Sequence, residues 1–112
     1  MISIDTARQL ALSLPGVIEQ PHFQLASFRI KNKIFSTLWE TEKKMMVKLS
    51  VIDQSVFCDI DKTIIYPVPG AWGKQGATFF ELSKVKKQIL KEALQSAWKN
   101  TAPKTLLKKY LP

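Results

Sequence analysis

Residues 22–49 contain three runs of strand-like sequence separated by short polar segments, and alternation is visible in the first run, where Phe28 and Ile30 share one face, and in the last. The runs cover residues 22–31, 34–39 and 44–49. Alternation with a period of two is typical of strands that bury one face. Asn32-Lys33 and residues 40–43 are the predicted turns, since Asn tolerates a positive φ. Because short turns join antiparallel neighbours, this stretch predicts an antiparallel meander.

Helical periodicity flanks the meander on both sides. Ser3 is expected to cap a first helix that ends at Pro15-Gly16. The stripe Ile52, Val56 and Phe57 predicts a short helix over residues 50–58, and Ser83 is expected to cap the longest helix, which runs to about Asn100. The remaining predicted elements are strands over 63–66 and 77–82, and a last short helix near Pro103 with apolar contacts from Leu106, Leu107, Tyr110 and Leu111.

This order of elements predicts an α+β fold rather than alternating βαβ units. The chain has 112 residues, so we expect one domain spanning residues 1–112. The amino terminus lacks the features of a signal peptide, and no apolar run approaches the roughly 20 residues that span a bilayer. We therefore expect a cytoplasmic protein without a membrane partner. The sequence leaves the oligomeric state open.

One cysteine, Cys58, and one histidine, His22, are present. A single thiol cannot form an internal disulfide or a cysteine-rich zinc site. No Ser, Cys or Asp lies at motif spacing from His22. We expect a structural hydrogen bond or packing role for His22, and the role of a small buried hydrophobic residue for Cys58. The sequence therefore predicts no catalytic residue, no metal and no cofactor.

The net charge is +8, from 17 Lys and Arg against 9 Asp and Glu. A field of this sign attracts polyanions at long range. All the bases except Arg8 and Arg29 are lysines, which supply point charge rather than the bidentate fork of arginine. This composition favours weakly specific contacts with backbone phosphates, and the alternative is a lysine-rich solvated surface.

Two segments supply a candidate nucleic-acid site, which comprises Arg29, Lys31, Lys33, Lys44, Lys48, Trp72 and Lys74. Arg29, Lys31 and Lys33 are spaced two apart, and Lys44 and Lys48 share one side of the third strand. We expect one basic surface if both sets lie on the face that the helices leave open. The alternative is that exposed sheet faces carry lysine in any case, often to block edge pairing.

Residues 69–76 are predicted to form a glycine-rich loop around Trp72. In the functional interpretation the indole stacks on a base or ligand and Lys74 meets a phosphate. In the structural interpretation the indole plugs the end of the core. Of the two, the structural interpretation is favoured.

The sequence also resembles the MmcQ/YjbR-like proteins, in segments that follow the family's order along nearly the whole chain. They are Ser13-Leu14-Pro15-Gly16-Val17, Pro21-His22-Phe23, Phe28-Arg29-Ile30, Lys33-Ile34-Phe35, Lys48-Leu49-Ser50, Tyr66-Pro67-Val68-Pro69-Gly70-Ala71-Trp72-Gly73-Lys74 and Ala102-Pro103-Lys104. The resemblance implies a fold similar to the bacterial frataxin homologue, with helices packed on one face of an antiparallel sheet. It also implies DNA binding through a double-wing arrangement of strands and loops. An iron role is not expected, because the first helix offers only Asp5 where iron needs clustered carboxylates.

The leading hypothesis is a non-enzymatic, weakly specific DNA-binding protein that contacts backbone phosphates through basic strands and loops. The alternative is a small-ligand or protein-binding module with a pocket lined by Trp39 and Trp72.

Overall fold

The computed structural model describes residues 1–110, with only the backbone of Tyr110. The predicted contacts of the Tyr110 side chain and of Leu111 lie outside the described residues. The helices are α1 (Ile4–Leu12), α2 (Val51–Cys58), α3 (Ala71–Lys74), α4 (Lys87–Thr101) and α5 (Lys104–Tyr110). The strands are β1 (Ile18–His22), β2 (Leu25–Ile30), β3 (Lys33–Trp39), β4 (Lys44–Lys48), β5 (Ile65–Pro67) and β6 (Ala77–Glu81).

The six strands form a single sheet in the order β1-β2-β3-β4-β6-β5, and every neighbouring pair is antiparallel. Helices α1, α2, α4 and α5 contribute side chains to one core on one face of this sheet. The predicted α+β fold, with an antiparallel sheet and helices on one face, is confirmed. The opposite face is called the open face below, and α3 is the helix that reaches it.

The core lies between α4 and the middle strands. Phe28, Phe35 and Phe80 are completely buried, and so are Leu90 and Ala93 of α4. Strand β3 contains a bulge at Phe35. Phe28 pairs with Ser36 and Arg29 pairs with Ile34, so Phe35 is an extra residue without a partner on β2. The Ser36 hydroxyl is buried by this bulge and donates a hydrogen bond to the Met46 carbonyl at 2.6 Å.

Serine side chains begin α1 and α2. Ser3 Oγ accepts a hydrogen bond from Thr6 N at 3.0 Å, as expected for a cap, and Ser50 Oγ accepts one from Asp53 N at 3.1 Å. The prediction that Ser83 caps the longest helix is wrong. The chain first makes a turn in which Val85 N donates to Glu81 O, and the helix starts at Lys87 without a side-chain cap.

The first two hairpins turn on residues with positive φ at both central positions. Lys31 and Asn32 have φ of 50° and 69°, so this turn lies one residue earlier than predicted. Phe23 and Gln24 have φ of 48° and 68°, and they join β1 to β2. The predicted strand over residues 22–31 is therefore wrong at its start, because it missed β1 and this turn. Phe and Gln rarely adopt positive φ, and this explains the error.

Candidate nucleic-acid interface

Strand register decides which side chains reach the open face. Residues that pair directly across antiparallel strands lie on the same face of the sheet. Phe28, Met45 and Phe80 point into the core. Because successive residues of a strand point to opposite faces, their neighbours Arg29, Met46 and Phe79 point to the open face. The cross-strand pairs of the open face are Arg29 with Ile34, Thr37 with Met46, Trp39 with Lys44, Lys48 with Ala77, and Tyr66 with Phe79.

Aromatic rings cover one end of the open face. Phe79 packs edge-on against Trp39 with ring centroids 5.1 Å apart, and Tyr66 packs on Phe79 at 6.0 Å. The Lys44 ammonium lies 4.1 Å from the centroid of the Phe79 ring. A cation in this position is attracted electrostatically by the quadrupole of the aromatic ring. Lys44 is thus held against the protein surface and is only partly exposed.

A carboxylate offsets the charge at this same end. Glu81 pairs with Lys44 in the register of β4 and β6. Its carboxylate also accepts a hydrogen bond from the Tyr66 hydroxyl. Burial, followed by the hydrogen bond to Glu81 and the charge of Glu81, raises the pKa of Tyr66 to about 12. The Lys44 end of the open face is therefore less positive than the number of its lysines suggests.

A cavity of about 140 Å³ lies at the other end of the open face. Its lining residues are His22, Ile34, Thr37, Met46, Lys48, Trp72, Gln75 and Ala77. They come from β1, β3, β4, β6 and the segment around α3, so the sheet and this segment together enclose the space. We call this space the ring cavity. Its walls are mostly apolar carbon, with polar groups from a few side chains, as is usual for small-molecule sites.

Trp72 is the most exposed large aromatic side chain of the ring cavity, with 57% of its surface accessible. The prediction that it lies in a loop is wrong, because Ala71–Lys74 forms one helical turn. The structural interpretation of the indole as a plug of the core is also wrong, because a plug would be buried. Trp72 instead lines the ring cavity on the open face.

Close backbone packing fixes the position of the Trp72 turn, which comprises residues 70–76. A Cβ atom on Gly73 would lie 1.7 Å from the Val68 carbonyl oxygen, and one on Gly76 would lie 1.9 Å from that of Leu49. Gly76 also has a φ of +111°, which favours glycine. These contacts leave no space for side chains at either position. The glycines therefore position the indole rather than loosen the chain around it.

A buried glutamine completes this support. Gln54 of α2 is 8% exposed, and its Nε2 donates hydrogen bonds to the carbonyls of Gly73 at 2.8 Å and Ala77 at 3.2 Å. Sequence reasoning missed this residue. Gln54 lies between the polar residues Asp53 and Ser55 in α2, so the sequence carried no signal that it is the buried one of the three.

The predicted basic residues are not all brought together. Arg29 lies on the open face, where its Nε donates to Ser27 Oγ at 3.0 Å. Lys48 is exposed at the edge of the ring cavity, and Lys74 is exposed at the end of the Trp72 turn. Lys31 lies in the hairpin turn itself.

The prediction that Lys33 lies on the same basic surface as Arg29 is wrong. It pairs with the core residue Ile30, so it starts on the helix side of the sheet. It lines a groove at the end of the sheet with Asn100 and Thr101 of α4, and Lys48 lines both this groove and the ring cavity. The prediction that Arg29, Lys31 and Lys33 share one side of the sheet is wrong. The chain does not stay extended between Arg29 and Lys33, because Lys31 and Asn32 form a turn with positive φ.

His22 and Cys58 have different surroundings. Cys58 is 9% exposed within the core, and burial, followed by the charge of Asp59, raises the pKa of its thiol. This agrees with the predicted role of a small buried hydrophobic residue. His22 packs against the Phe23 ring with centroids 4.6 Å apart and also lines the ring cavity.

Within residues 1–110, no three His, Cys, Asp or Glu side chains lie close enough together to hold a metal ion. None of the helices in this part of the chain is long and apolar enough to cross a membrane.

Comparison with known proteins gives a family and a fold. The model of the YjbR family matches residues 12–100. A crystal structure of Deinococcus radiodurans protein DR2400, described by the domain name DUF419, superposes with a TM-score of 0.78. The superposition covers 97% of this chain and 88% of that one at 17% sequence identity, which is evidence for a similar fold. No curated protein matches the sequence significantly. The family match spans most of the chain and confirms the resemblance seen in the sequence, so the chain belongs to the YjbR family.

Proposed function

We propose that this protein binds nucleic acid, with DNA as the expected partner, through the open face and without catalysing a reaction on it. The observation that carries the proposal is an exposed, firmly held indole next to exposed lysines. Trp72 supplies a stacking surface, Lys48 lines the same cavity, and Lys74 is exposed two residues after Trp72 on the same helical turn. An aromatic platform within a positively charged groove is a recurring arrangement for binding nucleic acid.

The charges of this region support the proposal. The ion pairs found within residues 1–110 join Arg8 to Glu19 and Glu40. Lys31, Lys48 and Lys74 therefore keep positive charge that a phosphate can neutralise. Binding of this kind is dominated by counterion release and depends steeply on salt. Because lysine supplies point charge, we expect the contacts to position the backbone without reading base edges.

A salt titration of binding tests the proposal. If three or four cations engage phosphates, log K should fall against log salt with a slope of about −3, because each contact contributes roughly −0.7 for a single strand and −0.9 for a duplex. Lys48→Ala should flatten this slope by about one contact and weaken all sequences alike. Lys91→Ala is the matched control, since Lys91 is exposed on α4 and α4 packs on the other face of the sheet.

Two results would contradict the proposal. The first is the absence of binding to any nucleic acid at low salt. The second is an equal effect of Lys48→Ala and Lys91→Ala, which would assign the affinity to the charge of the whole molecule rather than to the open face.

The ring cavity favours a second candidate, the binding of a small planar ligand. Its volume of about 140 Å³ and its apolar walls suit one aromatic ring. This candidate predicts that a free aromatic ligand saturates the site, quenches Trp72 fluorescence and loses little affinity as salt is raised. Nucleic-acid binding predicts the opposite dependence on salt.

A further inference from the structure

We infer that the ring cavity accepts one unpaired pyrimidine base, so that the protein prefers single-stranded DNA to duplex. This inference rests on the proposed function and specifies the form of nucleic acid that the same surface takes. It follows from the size of the cavity, the chemistry of its walls and the position of its lysine.

The size of the cavity limits what can enter. A protein cavity of roughly 150 Å³ holds one benzene molecule, and the ring cavity is about 140 Å³. The single six-membered ring of a pyrimidine therefore fits between the walls, whereas the two fused rings of a purine would extend out of the open side of the cavity. A base inside a duplex is stacked on both faces and paired along one edge, so it can enter only after it leaves the helix.

The walls of the cavity suit the faces of such a ring. Ile34, Met46 and Ala77 supply apolar contact, and the Trp72 indole supplies an aromatic surface that is already exposed. Base stacking on an aromatic side chain needs only the π-face that every base has, so the indole supplies attraction while the size of the cavity supplies the selectivity. The indole needs no rearrangement to take part, since Gly73, Gly76 and Gln54 already fix the turn that carries it.

Polar groups are available for the edge of the ring. Thr37 Oγ1 accepts a hydrogen bond from Trp39 Nε1 at 2.9 Å, which leaves the threonine hydroxyl hydrogen free to donate. The Gln75 side chain lines the cavity and has no hydrogen-bond partner within the described residues. Together they offer the donors and the acceptor that pyrimidine carbonyl and imino groups require.

Lys48 places the positive charge where the backbone must lie. It lines the ring cavity and is exposed, so it lies at the boundary between the enclosed space and solvent. A base that enters the cavity leaves its sugar and phosphate at this boundary. Lys48 can then pair with the phosphate while the base stays stacked.

Three ligands of equal length test the inference at fixed low salt: an oligothymidylate, the same backbone with abasic sites, and a duplex. We expect the oligothymidylate to bind about 5- to 150-fold more tightly than the abasic strand, which is the range that one base–aromatic stack supplies. Trp72→Ala should remove this advantage and leave the affinity for the abasic strand unchanged. Trp72→Phe should keep most of the advantage, because it retains an aromatic face.

The other outcomes are distinguishable. If all three ligands bind equally and Trp72→Ala changes nothing, the base cavity is excluded while the proposed function stands. If free thymidine monophosphate binds as tightly as the strand, the site is one for mononucleotides and the preference for strands is overturned. If none of the ligands binds, the proposed function itself fails, and the inference fails with it.

Discussion

Lys44 and Lys48 lie four residues apart on β4 and face the same side of the sheet, but their surroundings differ. Lys44 rests on the Phe79 ring and lies opposite Glu81. Lys48 is exposed at the ring cavity. At the scale of single residues, the neighbours of each lysine therefore decide how much of its charge a ligand can use. Of the two, Lys48 is the residue that we expect to contact phosphate.

The titration of Tyr66 tests the electrostatics of the Lys44 end. Its pKa is raised to about 12 by burial and by the hydrogen bond and charge of Glu81. Since the ordinary value is about 10, the folded state favours the neutral phenol, and this part of the stability is complete below about pH 10. It is lost as the pH rises through 12. We expect Glu81→Gln to lower the pKa of Tyr66, as followed by phenolate absorbance. An unchanged titration would show that Glu81 does not act on Tyr66.

Helix α2 shows how an element can turn its apolar residues outward. The apolar stripe predicted a helix that is present, but Ile52 and Val56 of that stripe are 78% and 62% exposed. Phe57 does pack on the core, with its ring centroid 6.1 Å from that of Phe80. The buried positions include Gln54 and Cys58. Helical periodicity alone could not indicate this, because the hydrogen bonds that Gln54 donates to the Gly73 and Ala77 carbonyls are formed only in the folded chain.

Two substitutions on α2 test this orientation. Gln54→Ala should lower the free energy of unfolding by about 1–3 kcal/mol, because it leaves the buried Gly73 carbonyl without the Gln54 donor. Ile52→Gln should change stability by no more than about 0.5 kcal/mol, as is usual for exposed positions. Denaturant unfolding of both variants provides the measurement. A larger loss for Ile52→Gln than for Gln54→Ala would mean that α2 is oriented the other way.

At the scale of the whole molecule, the sequence was sufficient for the α+β class, for the order of the elements other than β1 and α3, and for much of the core. The alternation in β4 and the stripe on α4 are signals of burial, and Met45, Val47, Leu90 and Leu94 are buried as those signals predict. The faces of the basic residues were less predictable. Residues two apart share one face only while the chain stays extended, and the chain turns at Lys31 and Asn32.

The ring cavity could not be predicted from the sequence for a related reason. It is assembled from separate segments, with His22 on β1, Lys48 on β4 and Trp72 on α3. Their proximity depends on the order of the strands in the sheet and on the support of the Trp72 turn by α2. The sequence indicated Trp72 and Lys48 individually, but only the fold brings them to one space.

The central claim, that nucleic acid binds at the Trp72 end of the open face, is tested most directly by NMR. The three tryptophans provide built-in reporters. Trp72 lines the ring cavity, whereas Trp98 is buried in the core with its Nε1 donating to the Pro15 carbonyl at 2.8 Å. On addition of oligothymidylate, we expect the indole resonance of Trp72 and the amides of Lys48 and Gln75 to shift, while the indole of Trp98 stays in place. Shifts confined to the exposed side of α4, with the Trp72 indole unchanged, would contradict the claim.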